Sequence, residues 1–226
     1  MKPAQTLVLT RDAGAIAPPV SANRVLRNTY WLLSLTLLFS AGAAAVTLAL
    51  QLPHPGILIT LVGYFGLLFL TVRLRDSGLG LVSVFALTGF MGYTLGPIVT
   101  HYLAMPNGHQ VVMMAMGGTA AIFLGLSAYA SASRRDFSFM GGFLMTGIIV
   151  AFLGGLGAIF FAVPALALTV SAAFVLLMAG LMLYQTSQII HGGETNYIMA
   201  TVTLYVSIYN LFTSLLHLLG FTNGNE

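Results

Sequence analysis

Residues 137–193 read FSFMGGFLMTGIIVAFLGGLGAIFFAVPALALTVSAAFVLLMAGLMLYQTSQIIHGG, without one Asp, Glu, Lys or Arg. A helix that crosses a bilayer needs about 20 apolar residues, so this stretch holds two crossings. Pro164 marks the connection between them, just after Phe160 and Phe161. Proline lacks the backbone donor that a helix interior requires, so it punctuates the run. Working outward, residues 77–133 are equally free of charge and are divided by Pro106-Asn107-Gly108. Residues 28–72 are divided by Pro53-His54-Pro55-Gly56, and residues 195–225 have room for one more crossing. The expected spans are seven: 29–51, 56–72, 79–101, 110–132, 138–161, 166–189 and 197–219. The second is at the short limit for a crossing.

Composition agrees. Hydrophobic residues make up 58% of the 226 and charged residues 6%, where a soluble domain carries about a quarter charged. The mean hydropathy is +0.95. So few charges could not cover a water-facing surface, which excludes a soluble enzyme, a disordered tail protein and a secreted scaffold. The chain has no cysteine, hence no disulfide, thiol catalysis or iron–sulfur ligation. The expected class is an all-α membrane protein.

The basic residues set the expected orientation. Lys2, Arg11, Arg24 and Arg27 precede span one; Arg73 and Arg75 lie between spans two and three; Arg134 and Arg135 lie between spans four and five. All eight fall on one side, and by the positive-inside rule that side is cytoplasmic. The C-terminus, residues 222–226, is then a short periplasmic tail. Residues 1–23 have no sustained periodicity and read as a disordered cytoplasmic tail. Ala43-Ala44-Ala45 resembles a cleavage site, but the apolar run before it is too long for a signal peptide. The pI of about 9.4 reflects loop charges, and no basic patch with interleaved aromatics points to nucleic acid.

Inside the spans, small residues recur at helical spacing. Gly89, Gly92 and Gly96 share a face of span three, Gly63 and Gly66 one of span two, and Gly154, Gly155 and Gly157 crowd span five. Small residues let backbones approach in lipid, and close packing within the bundle explains them better than a dimer seam. Pro97 should bend span three. An ionisable residue inside a span is a functional candidate, and all seven interiors lack Asp, Glu, Lys and Arg. Polar side chains gather instead in spans six and seven: Gln185, Thr186, Ser187, Gln188, Ser207 and Asn210, with Tyr184, Tyr205 and Tyr209. They read as interhelical hydrogen bonding, or as a polar path through Gln185, Ser207 and Asn210. The five histidines His54, His101, His109, His191 and His217 show no ligand spacing. Neither a cofactor nor a nucleophile–base pair is apparent, so a non-enzymatic role is expected.

Spans six and seven are joined by His191-Gly192-Gly193-Glu194-Thr195-Asn196-Tyr197. The glycines can end span six, Thr195 or Asn196 can cap span seven, and Glu194 complements its positive end. Turn geometry leaves the distinctive composition unexplained.

Four stretches together resemble the Bax inhibitor-1 family, and within it the bacterial YccA branch. They are RVLRNTYWLLSLTL at 24–37, Leu95-Gly96-Pro97-Ile98, HGGETNYI at 191–198 and LYVSIYN at 204–210. The resemblance runs from about Arg24 to Phe221, and HGGETNYI is its most specific part. It implies a seven-helix inner-membrane protein with the last helix surrounded by the others. It also implies association with the ATP-dependent protease FtsH and its HflK–HflC partners, as a substrate and modulator that restrains degradation of membrane proteins such as SecY. The tail, with Met1, Lys2, Pro3, Arg11, Asp12, Pro18 and Pro19, matches the part such a protease grips. Other members are pH-sensitive calcium leaks governed by paired aspartates. Those positions match Gln185 and Ser207, and a third acidic position falls at Met91, so pH gating is not expected even if a cation path exists.

Overall fold

Charge-free runs become helices because an unpaired backbone group in hydrocarbon costs several kcal/mol, and a helix satisfies all of them internally. The computed structural model describes residues 19–223. It contains α1 (Pro19–Ala49), α2 (Ile57–Leu74), α3 (Leu79–Leu103), α4 (Gly108–Ser133), α5 (Gly141–Phe160), α6 (Pro164–Ile190) and α7 (Tyr197–Asn223). A single 3-10 turn, Ser138–Met140, precedes α5. All seven helices are long and apolar enough to cross a membrane. The fold is an all-α membrane bundle, as expected.

The breaks fall at the anticipated punctuation. Gly56 has φ 88° ahead of α2, and Asn107 has φ 57° ahead of α4, a left-handed conformation that Asn tolerates better than most residues. At Gly108 a Cβ would collide with the carbonyl of Tyr102. α3 passes through Pro97 without interruption.

The start of α1 differs from expectation. Residues 19–23, read as tail, belong to the helix. No proline or glycine interrupts the chain between Pro19 and Gly42, so nothing in these residues breaks the helix. Of the tail residues singled out above, Met1, Lys2, Pro3, Arg11, Asp12 and Pro18 lie outside the described residues. At the other end α7 continues to Asn223, so residues 222–223 are helical too, and 224–226 lie outside the described residues.

α7 is the hub. It packs on α6, α4, α1 and α3, while α2 rests on α3 and α5 rests on α6. From Tyr197 to Gly220 no α7 residue is exposed. The most extensive packing of any pair is between α1 and α3, and glycine explains it. A Cβ on Gly92 would meet the backbone of Ser40, and one on Gly96 would meet Thr47 and the carbonyl of Ala44. Gly63 receives the ring of Phe90, whereas Gly66 has open space around it. The small-residue face of α3 thus serves packing inside the bundle, as Gly63 does on α2, while a Cβ on Gly66 or Gly157 would meet no neighbour.

The N-terminal end of α1, the 75–78 and 134–137 loops and the α6–α7 turn share one end of the bundle, called here the basic face. The other loops and the end of α7 form the opposite face.

Candidate functional site

The α6–α7 turn occupies the centre of the basic face, and its composition has a residue-by-residue explanation. α6 ends at Ile190, and the backbone N–H groups of Gly193 and Glu194 both donate to the Gln188 carbonyl, at 2.8 and 3.1 Å. That closure needs Gly192 at φ 75°, which glycine adopts without strain. It also needs no Cβ at Gly193, where the Gln188 amide oxygen sits. Glu194 Oε1 accepts from the Asn196 N–H at 2.8 Å. Asn196 Oδ1 accepts from the N–H groups of Ile198 and Met199, at 3.0 and 3.1 Å. Asn196 is therefore the cap of α7, settling the choice between it and Thr195.

The same side chains reach sideways. Asn196 Nδ2 donates to Asp76 Oδ1 at 2.9 Å and to the Arg75 carbonyl at 3.2 Å. On the other flank, His191 Nε2 lies 3.0 Å from the Arg134 carbonyl, and its Nδ1 lies 2.9 Å from the Ser187 carbonyl. A neutral imidazole can donate to one of these oxygens; an imidazolium donates to both. Ser187 Oγ accepts from the Phe137 N–H and lies within donating distance of the Arg135 carbonyl. Gln188 Nε2 donates to Ser138 Oγ at 2.9 Å. Asp136 Oδ1 accepts from both the hydroxyl and the N–H of Ser138. Those two bonds hold the Asp136 carboxyl below the usual carboxylate range, with a smaller contribution from the charge of His191. The turn is thus a clasp joining the 75–78 loop, the 134–137 loop and the two central helices.

The proposed polar-path residues are placed apart. Gln185 is 5% exposed, and its Nε2 has no partner among the described residues. It lies about 7 Å from the basic end of α6, at a rise of about 1.5 Å per residue. Buried, unpartnered hydroxyls occur at similar depth: Thr29 and Tyr30 on α1, Ser127 on α4 and Thr186 beside Gln185. Ser207 and Asn210 lie deeper on α7, and both bond to their own helix, to the Thr203 and Val206 carbonyls. Among the described residues no hydrogen bond joins Gln185 to either.

Two hydroxyl pairs that sequence reasoning did not assemble tie α7 to its neighbours. Tyr205 OH meets Ser40 Oγ of α1 at 2.5 Å and donates to the Thr88 carbonyl of α3 at 3.2 Å. Tyr209 OH meets Thr94 Oγ1 of α3 at 3.0 Å. The signal was the four-residue spacing of Tyr205 and Tyr209 on one helix face; their partners are ordinary Ser and Thr. On the opposite face, His217 Nδ1 pairs with Ser171 Oγ at 2.7 Å. Among the described residues no three His, Asp or Glu side chains converge as a metal site would require.

Comparison with known proteins agrees with this architecture. Residues 22–224 match the family described as Inhibitor of apoptosis-promoting Bax1. The modulator of FtsH protease YccA of Escherichia coli K12 is 54% identical over 204 residues, covering 90% of this chain and 93% of that protein. The same figures hold for the inner membrane protein YccA of another Escherichia coli strain. An uncharacterised protein of Pseudomonas aeruginosa is 53% identical over 212 residues, covering 94% and 96%. With the match running through all seven helices, the chain belongs to the Inhibitor of apoptosis-promoting Bax1 family and is a multi-pass protein of the inner membrane.

Proposed function

We propose that this protein modulates the membrane protease FtsH, as a binding partner and slow substrate rather than as an enzyme. The observation that carries the reading is the 54% identity to a modulator of that protease over 93% of its length. In finer terms, it engages FtsH together with HflK–HflC and restrains degradation of membrane proteins such as SecY. The N-terminus is cytoplasmic and the C-terminus periplasmic, supported by the sequence order of the basic residues, all eight of which fall in segments on the same side of the crossings. The tail ahead of Pro19, from Met1 and Lys2 to Pro18, is the handle. A pulling ATPase that takes hold there meets α1 first, and α1 is the helix most extensively packed on α3. Slow extraction would occupy the enzyme.

Residues 2–18 precede the described part of α1, and deleting them removes the handle. The deletion should prolong the protein's lifetime in cells and weaken its protection of other FtsH substrates. Full-length protein purified from its native membrane in mild detergent should carry FtsH, HflK and HflC. Recovery of intact, monodisperse protein without FtsH, with a lifetime unchanged by FtsH depletion, would sink the proposal.

A second reading, a cation leak with calcium among its ions, draws support from one observation: the unpartnered, buried amide of Gln185 with unpartnered hydroxyls at its level. Such a leak would lack the paired carboxylates of a pH gate, since Gln185 and Ser207 do not titrate. Calcium flux into liposomes holding the purified protein, lost in Gln185→Leu, would favour it over the first.

A further inference from the structure

α1 and α4 both pack on α7 but make no substantial packing with each other. Between them lies a cavity of about 470 Å³, with α3 and α7 forming its back. Ala41 of α1 and Met116, Ala120 and Leu124 of α4 line it and are exposed. Its mouth is therefore lateral, continuous with the lipid-facing belt of the bundle. Along α4 the lining runs from Val112 to Leu124, about 18 Å at 1.5 Å per residue. It starts one turn inside the opposite face and ends near mid-membrane. Half of a hydrocarbon core is about 15 Å, so the slot spans one leaflet.

The polar atoms at the back decide what can enter. Tyr205 OH lies between Ser40 Oγ and the Thr88 carbonyl, at 2.5 and 3.2 Å. Thr94 Oγ1 donates to the Met91 carbonyl, so the proton between it and Tyr209 comes from the tyrosine. Thr119 Oγ1 donates to the Ala115 carbonyl. Every hydroxyl in the lining thus has a partner within the protein. None stands free to receive a phosphate, carboxylate or carbonyl, and no lining residue is charged. A transmembrane helix, about 10–12 Å across, is too broad for the volume. A single alkyl chain is not, since pockets of about 300–1,000 Å³ hold small ligands.

We propose that this cavity is a binding site for one acyl chain of a phospholipid from the leaflet at the opposite face, inserted sideways between α1 and α4 against α7. The headgroup stays at the membrane surface. The chain fills the gap that the protein leaves between two helices of its ring and so holds α1 in place.

The test uses full-length protein in nanodiscs containing a phospholipid with a mid-chain diazirine, followed by photolysis and peptide mapping. Packing against fixed walls, not hydrophobic transfer, would hold the chain, because lipid tails are as apolar as the lining; the enrichment expected is roughly tenfold, equivalent to about 1.4 kcal/mol. Label should therefore concentrate on the peptides holding Ala41 and Ala120, relative to Val62 and Phe69 on the exposed face of α2. Ala120→Trp, which fills the slot, should reduce labelling of α1 to the α2 level, while Val62→Trp leaves it unchanged. Should Ala120→Trp fail to fold, Ala41→Leu narrows the same slot from the other wall. Uniform labelling around the bundle overturns the proposal. So does labelling of α1 undiminished in the folded slot-filling variant, or purification with a stoichiometric apolar molecule that is not a phospholipid.

Discussion

α2 and α7 are both apolar helices that cross the membrane, and they are built in opposite senses. α2 is the more hydrophobic of the two, yet Thr71 is its one buried residue. α7 carries Thr201, Ser207, Asn210 and Ser214 along with three tyrosines, and presents no exposed residue between Tyr197 and Gly220. In water the greasier helix would take the centre. In a bilayer, lipid tails are as apolar as leucine, so hydrophobicity gives no reason to go inside. What draws a helix to the middle is the chance to satisfy hydroxyls and amides, and α7 does so through Ser40, Thr88 and Thr94. The polar pattern, not the apolar one, marked the core.

Truncating one leucine on each helix tests this most severely. Leu211 on α7 is fully buried and Leu58 on α2 is 74% exposed. Leu211→Ala should cost about 2–4 kcal/mol, as for other buried large-to-small changes, and Leu58→Ala less than about 0.5 kcal/mol. Equal losses in a detergent unfolding titration would break the comparison. Next in size is the entry to α7. Asn196→Ala removes the cap and the bond to Asp76, for a loss of about 1–2 kcal/mol. Amide exchange should quicken first at Ile198 and Met199, and a loss spread evenly over α7 would argue against a cap. Tyr205→Phe keeps the ring and removes its hydroxyl bonds, for about 1 kcal/mol, measured by the same unfolding titration. A neutral result there would mean that packing alone centres α7.

The smallest effect lies outside the membrane. The Asp136 carboxyl is held below its ordinary range by Ser138. Its folded-state value is lowered, so its contribution is complete above the unfolded value and fades as pH falls through the folded one. The Ser138 amide resonance should titrate below the usual carboxylate range, and Asp136→Asn should abolish that titration.

Much of this was legible in the sequence. The charge-free intervals determined seven crossings, because burying a charge in hydrocarbon is too costly to occur casually. Proline and glycine clusters placed the turns within a few residues. Residues 19–23 were read as tail because Pro18, Pro19 and the small residues beside them show no helical period. HGGETNY could be recognised but not explained. Its partners, Asp76 and the Arg134 carbonyl, lie in loops far away in the chain, and no periodicity reports such bonds. The lateral cavity was invisible for a related reason: it arises from two helices that fail to meet.

The central position of α7 has a consequence for how the protein is made. The hub is the last of the seven helices to leave the ribosome. Until it arrives, α1, α3, α4 and α6 surround nothing, and the faces bearing Ser40, Thr88 and Thr94 lack their tyrosine partners. Assembly therefore cannot be completed step by step as the chain emerges. A chain cut short before Tyr197 would insert its crossings but keep an unfilled centre, so completeness of synthesis is written into the packing itself.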